Sequence, residues 1–130
     1  MQTTFTPEQM EDPGTAIAND ILRNCVHCGF CTATCPTYVL TGNELDSPRG
    51  RIYLFRDMLG SDRPPSESTV RHTDRCLSCL SCMTTCPASV DYMHLVDEAR
   101  NRIEKTYTRS FSDRLLRKLL IHVLPKPGIF

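Results

Sequence analysis

The chain contains eight cysteines, and all of them belong to two copies of one spacing, C-x2-C-x2-C-x3-C-P. The two copies are Cys25, Cys28, Cys31, Cys35 and Pro36, and Cys76, Cys79, Cys82, Cys86 and Pro87. Cysteines separated by two residues let one tight loop present three thiolates to a compact metal group, and the fourth follows just beyond that loop. This is the spacing of proteins that carry two [4Fe–4S] clusters. We therefore predict two such clusters, around which the chain must fold.

The fourth cysteine of each run has a separate role. In two-cluster proteins it ligates the cluster held by the other run. The expected ligand sets are Cys25, Cys28, Cys31 and Cys86 for the first cluster, and Cys76, Cys79, Cys82 and Cys35 for the second. This crossed arrangement makes the clusters near neighbours. It also lets each cluster tie the two halves of the chain together.

Zinc and disulfides are the alternatives for so many cysteines. Zinc sites usually take two pairs of ligands separated by a longer loop, so the pattern favours iron–sulfur and leaves a zinc-stabilised module as a remote alternative. Residues 1–13 are polar and acidic and contain no apolar signal segment. A cytoplasmic location is therefore expected, where disulfides are rare.

Length and charge limit the remaining possibilities. A chain of 130 residues corresponds to one domain, and its net charge of zero gives no reason to expect nucleic acid as a partner. No apolar stretch approaches the ~20 residues that a transmembrane helix needs. The expectation is a protein without a transmembrane segment, either free in the cytoplasm or peripheral on the cytoplasmic face of the inner membrane.

Helical periodicity on both sides of the cysteine runs predicts a mainly α fold. The predicted helices begin near Pro13, at Pro48 behind the cap Ser47, at Ser66 or Ser68, near Tyr92, and at Asp113. No segment alternates polar and apolar residues as a strand would, so an all-helical ferredoxin-like domain is expected. Residues 1–13 are expected to be a flexible polar tail, 14–108 the domain with both clusters, and 109–130 an amphipathic helix with a proline-rich end.

Few other residues suggest chemistry. Arg49 and Arg51 begin the middle helix, and either can approach a cluster and raise its reduction potential, or both can be solvated. His27 lies inside the first run but is not expected to bind iron, because four cysteines already serve each cluster. We predict no catalytic residue, and no G-x-G-x-x-G motif for a flavin is present.

The residues around the cysteines resemble a known family. Residues 22–38, LRNCVHCGFCTATCPTY, are similar to the iron–sulfur subunits of bacterial glycolate oxidase, as are ELDSPRGRIYL at 44–54, DRCLSC at 74–79 and TTCPASV at 84–90. The cysteine runs alone are shared with iron–sulfur subunits of glycerol-3-phosphate dehydrogenase, of lactate-utilisation systems and of heterodisulfide reductase. The P-R-G-R stretch at 48–51 favours the glycolate oxidase family.

The resemblance implies a function within a complex. A separate flavin subunit, together with a second flavin-type subunit in some arrangements, would oxidise glycolate to glyoxylate. This chain would carry the electrons toward the quinone pool, with no substrate chemistry of its own. Alternatives are the same role in a lactate, glycerol-3-phosphate or heterodisulfide oxidoreductase, or a non-redox binding module. Members of the family continue into a second cysteine-rich half, so 109–130 is expected to be a linker to a half that is absent here.

Overall fold

The computed structural model describes residues 1–128, which form eight α-helices and one 3-10 turn. The helices are α1 Pro7–Met10, α2 Pro13–Asn24, α3 Pro36–Thr41, α4 Pro48–Leu59, α5 Glu67–Asp74, α6 Ser81–Thr84, α7 Tyr92–Thr106 and α8 Phe111–Val123, and the 3-10 turn is Glu44–Asp46. This described part of the chain contains no strand. The prediction of a mainly α fold is confirmed.

Each long helix begins behind a side chain that caps it. The side chains that accept a hydrogen bond from the backbone N–H three residues ahead are Asp12, Ser47, Ser66, Asp91 and Ser110. Such a cap contributes about 1 kcal/mol. The caps expected at Ser47 and at Ser66 are therefore present, and the alternative start at Ser68 is not used.

The core lies where the apolar faces of α2, α4, α5 and α7 meet. Leu22, Phe55, Leu95 and Ile103 are fully buried there. Because α2 ends just before the first cysteine run and α5 just before the second, the core fixes the places from which both runs depart. The helix α7 begins shortly after the second run and returns the chain to the core.

The N-terminal segment, expected to be a flexible tail, contacts the rest of the fold. The amino group of Met1 donates to the backbone carbonyls of Arg23 (3.2 Å) and Cys25 (2.6 Å). The side chains of Met1 and Phe5 pack against the core. The polar composition of residues 1–13 gave no indication of these two apolar contacts, and the flexibility of the segment stays a prediction.

The helix α8 is amphipathic, as expected, but it buries no residue against the rest of the fold. Ion pairs connect it to α5: Arg117 of α8 and Arg109, just before α8, pair with Asp74 at 2.9 and 2.7 Å. Its apolar side remains exposed, including Phe111 and Ile121. The last two residues of the predicted segment 109–130 lie outside the described part of the chain. No helix up to residue 128 has the length and apolar character required to cross a membrane.

Gly50 allows the 3-10 turn to cross the start of α4 closely. A Cβ at Gly50 would overlap the backbone carbonyl of Glu44, which cannot move as a flexible side chain can. We expect Gly50→Ala to lower the free energy of unfolding by about 3 kcal/mol, at the upper end of overpacking effects. The change in the free energy of unfolding is measured by denaturant unfolding, monitored by circular dichroism. Gly128→Ala, where a Cβ meets nothing within 4 Å, is the control. Equal midpoints for the two variants would contradict the prediction.

Candidate metal centre

The two cysteine runs share backbone hydrogen bonds at both ends, with each cysteine of the first run matching the one 51 positions later. The N–H of Cys25 donates to the carbonyl of Leu22 at 3.2 Å, and that of Cys76 to Thr73 at 3.1 Å. At the other end of each run, the N–H groups of Cys35 and Cys86 both donate to the residue three positions earlier, at 3.2 Å. The sequence repeat is therefore also a structural repeat.

Left-handed residues flank the second cysteine of each run. The φ angles are +55° at His27 and +51° at Ser78, and +86° at Gly29 and +59° at Leu80. For a residue other than glycine this conformation costs on the order of 1–3 kcal/mol and persists only where the surroundings require it. Such turns direct successive N–H groups to one side and form the nests found at many iron–sulfur sites. The loops are therefore suited to an anionic cluster.

The eight thiols surround two cavities. The first cavity is lined by Cys25, Cys28, Cys31 and Cys86, the second by Cys35, Cys76 and Cys79, and Cys82 borders both. The fourth cysteine of each run thus lies in the cavity whose other thiols come mainly from the opposite run. Within residues 1–128, no three Cys, His, Asp or Glu side chains converge on a position for a single ion.

Apolar residues form much of the remaining wall of these cavities. Ile52 and Val90 line the first cavity, while Pro48 and Tyr92 line both. Burial raises the pKa of Cys31, and it raises the pKa of Cys82 to about 12. Iron binds the thiolate form, so metal binding must remove protons from these buried thiols. Cys79 differs, because hydrogen bonds from the backbone and side chain of Ser81 lower its pKa.

Arg51 reaches the second cavity from α4. Its side chain is 1% exposed, and its Nη1 lies 3.8 Å from the sulfur of Cys35. Its Nε donates to the backbone carbonyl of His72 at 2.7 Å, and its Nη2 donates to the hydroxyl of Thr37 at 3.0 Å. The guanidinium is therefore fixed in one orientation against a thiol of the second cavity.

Arg49 reaches the first cavity instead. Its guanidinium lies over Gly29, where an added Cβ would come within 2.7 Å of Nη1. Its Nε pairs with the carboxylate of Glu44 at 2.7 Å, with about a third of the arginine side chain exposed. The hydrogen bond from Arg49 also lowers the pKa of Glu44. The two candidate arginines are thus divided, one to each cavity.

Comparison with known proteins now identifies the domain. The family model for the 4Fe-4S dicluster domain matches residues 24–90, which include both cysteine runs and both arginines. The chain belongs to the 4Fe-4S dicluster domain family. A dicluster domain carries two [4Fe–4S] clusters, and the eight cysteines provide four thiolates for each.

The dicluster domain also resembles curated proteins. It is 48% identical, over all 130 residues, to the glycolate oxidase iron-sulfur subunit of Escherichia coli (strain K12), covering 32% of that protein. It is 40% identical over 104 residues to the probable glycolate oxidase iron-sulfur subunit of Bacillus subtilis (strain 168), which is 79% of this chain and 23% of that protein. A more distant relative belongs to the dihydromethanophenazine:CoB–CoM heterodisulfide reductase of Methanosarcina barkeri, at 27% over 106 residues, covering 70% of this chain and 26% of that protein. The chain thus spans about a third or less of the length of these relatives, and no solved structure gives a significant match.

A buried carboxylate supports the second cavity of the dicluster domain, and it was not among the residues predicted from the sequence. Asp46 is fully buried and contacts Nδ1 of His72 at 2.7 Å, Nη1 of Arg75 at 3.0 Å and Nη2 of Arg51 at 3.8 Å. Burial alone would raise its pKa, but hydrogen bonds from His72, Thr41 and Arg75 hold the pKa below its ordinary value. The signal that could have found it is the D-S-P-R-G-R stretch, where an acid precedes two arginines.

Two aromatic residues complete the site. Tyr92 is buried, and its hydroxyl donates toward the sulfur of Cys76 at 3.9 Å, so this residue both packs the core and contacts a thiol. The ring of His27 stacks on Tyr53 with centroids 4.3 Å apart, and its Nε2 lies 2.9 Å from the sulfur of Met1. Burial lowers the pKa of His27. This residue packs at the rim of the first cavity.

Proposed function

We propose that this dicluster domain is the electron-transfer part of an iron–sulfur subunit in a glycolate oxidase complex. The observation that carries the proposal is the 48% identity to the glycolate oxidase iron-sulfur subunit, which extends over the whole chain. Each [4Fe–4S] cluster supplies one-electron redox chemistry when bound. The relatives are named as subunits, so the domain acts within an assembly, as a component of an oxidoreductase.

The proposed ligand sets are the crossed ones, with the domain formed by residues 14–108. The first cluster is held by Cys25, Cys28, Cys31 and Cys86, and the second by Cys76, Cys79, Cys82 and Cys35. The lining of the two cavities supports this division. Arg49 and Arg51 then each place a positive charge beside one cluster.

The partners in this proposal supply the chemistry that the domain lacks. A flavin subunit oxidises glycolate to glyoxylate and delivers electrons to the clusters singly, with a second flavin-type subunit as a further member of the assembly. The quinone pool is the final acceptor. In this proposal the assembly lies in the cytoplasm and is peripheral on the cytoplasmic face of the inner membrane. Within residues 1–128, the chain offers thiol-lined cavities for clusters, and its sequence has no dinucleotide-binding glycine motif.

Glycolate-dependent reduction of the clusters tests this function. We expect the purified, cluster-loaded chain to show no glycolate oxidation alone, because we predict no catalytic residue in it and its sequence has no G-x-G-x-x-G motif for a flavin. Addition of the flavin subunit and glycolate under anaerobic conditions should bleach the broad visible absorbance of the clusters within the turnover time of the flavin. Stopped-flow absorbance measures the rate.

The same assay separates the alternatives. D-lactate and glycerol 3-phosphate, each with its own flavin dehydrogenase, serve as competing donors. Faster cluster reduction by one of these would assign the chain to that oxidoreductase instead. Two outcomes would exclude the proposal. In one, the chain alone turns over glycolate; in the other, the clusters stay oxidised although the flavin subunit is turning over glycolate.

A further inference from the structure

We propose that Arg51, held by the carbonyl of His72 and the hydroxyl of Thr37, gives the cluster of the second cavity a higher reduction potential than the cluster of the first. The second cavity is then where an electron rests within the domain. This inference rests on the proposed crossed ligand sets. Arg51 is a positioning residue in this scheme, since it acts on the cluster through the thiolate of Cys35.

Burial makes the charge of Arg51 more effective than that of Arg49. A reduced cluster carries one more negative charge than an oxidised one, so a nearby positive charge favours reduction. The guanidinium of Arg51 is 1% exposed and 3.8 Å from the sulfur of Cys35, so solvent screens it little. Arg49 at the first cavity is about a third exposed and paired with Glu44, and such surface pairs have a weak effect.

The hydrogen-bond donors around the sulfurs also differ between the two cavities. Hydrogen bonds to cluster sulfurs are among the features that set the potential. At the second cavity, the side chains of Arg51 and Tyr92 donate toward the sulfurs of Cys35 and Cys76. At the first cavity the contacts come from the backbone, with the N–H of Val90 lying 3.5 Å from the sulfur of Cys86. The donors therefore also favour reduction at the second cavity.

Asp46 lies beside Arg51 without cancelling its charge. Its carboxylate is closer to His72 (2.7 Å) and Arg75 (3.0 Å) than to Arg51 (3.8 Å). Two arginines share one carboxylate, so the group keeps a net positive charge. The carbonyl of His72 holds Nε of Arg51 directly, which keeps the guanidinium facing the thiol.

The electron balance of the inferred step is simple. With both clusters bound, one electron from the reduced flavin of the proposed partner would pass from the first cavity to the second, and one cluster would be reduced as the other is reoxidised. No bond forms or breaks, and no proton moves.

The test is an anaerobic redox titration of the cluster-loaded chain, followed by electron paramagnetic resonance, with no partner present. Cys28→Ser and Cys79→Ser, at matching positions of the two runs, assign each signal to its cavity. We expect the signal altered by Cys79→Ser to have the higher potential. Arg51→Gln should lower the equilibrium constant for reduction at that site at least tenfold, about 59 mV for one electron.

Two further variants make the result specific. Asp46→Asn removes the negative charge beside Arg51 and should shift the same potential in the opposite direction. Arg49→Gln is the matched control and should change the equilibrium constant for reduction at the second site less than twofold.

Two results would overturn the inference. One is a higher potential at the first cavity in the unmodified chain, and the other is shifts of the same sign in Arg51→Gln and Asp46→Asn. If Arg51→Gln does not bind clusters, the inference is judged by the order of the two potentials in the unmodified chain and by the direction of the Asp46→Asn shift. An unmodified chain that takes up no clusters would count against the proposed function instead.

Discussion

Cys35→Ser should destroy the cluster of the second cavity and leave the cluster of the first. Cys35 is buried at the end of the first run, but it lines the cavity that also contains Cys76 and Cys79. A serine hydroxyl does not replace a buried thiolate as an iron ligand, so that cluster should be lost or converted to a form with fewer irons. Electron paramagnetic resonance of the dithionite-reduced Cys35→Ser protein should show one of the two signals missing and iron content reduced by up to half.

Cys86→Ser is the reciprocal control for this experiment. Cys86 lies at the matching position of the second run and lines the first cavity, so its replacement should remove the signal that Cys35→Ser retains. Cys28→Ser provides the reference for the first cavity, because its thiol is in the first run and the first cavity alike. If Cys35→Ser and Cys28→Ser removed the same signal, each run would serve its own cluster, and the crossed ligand sets would be wrong.

The helices of this fold were predictable because their signals are local. Ser47 followed by Pro48 marks the start of α4 within a few residues of sequence, and the apolar spacing of Tyr92, Leu95, Ala99 and Ile103 marks the buried face of α7. The cysteine spacing is equally local and predicted the cofactor. Each of these features depends on a short segment, and contacts with the rest of the chain do not change the local structure that the segment favours.

The roles of Arg49 and Arg51 could not be separated in the same way. Residues two apart in an α-helix point about 200° from each other, so both arginines could not face the same cavity. Which one is buried depends on how α4 is rotated against α5 and α7, a property of packing. Asp46 and His72 are 26 residues apart in the chain and meet only in the folded domain. No local pattern predicts that contact.

The N-terminal segment also makes contacts that no local sequence pattern predicts. Residues 1–13 have few apolar side chains, and composition alone favours a solvated segment. Yet the amino group of Met1 caps backbone carbonyls beside the first cysteine, and Phe5 contacts the core. Two apolar residues, Met1 and Phe5, are enough to pack this segment on the domain. The sequence of residues 1–13 does not reveal it, because the surface that they contact is formed by elements distant in sequence.

Removal of both clusters should unfold most of the domain. The first cavity joins residues 25–31 to Cys86, and the second joins Cys35 to residues 76–82, so the clusters cross-link segments that are far apart in the chain. A domain of this size has a stability of about 5–15 kcal/mol, and the binding free energy of a structural metal is about as large. We expect chelation with an oxidant to abolish cooperative thermal unfolding and most of the helical circular dichroism signal.

The strained loops give a second reason for this expectation. His27, Ser78 and Leu80 hold left-handed conformations that cost on the order of 1–3 kcal/mol each, and bound clusters would supply interactions that offset this cost. Without clusters the loops relax, and α2 and α5 lose the fixed ends to which their last turns connect. Refilling with iron and sulfide under reducing conditions is the control and should restore the helical signal together with the visible absorbance. A cluster-free protein that keeps its full helical signal and a cooperative transition would contradict the prediction, because the core of α2, α4, α5 and α7 would then be stable alone.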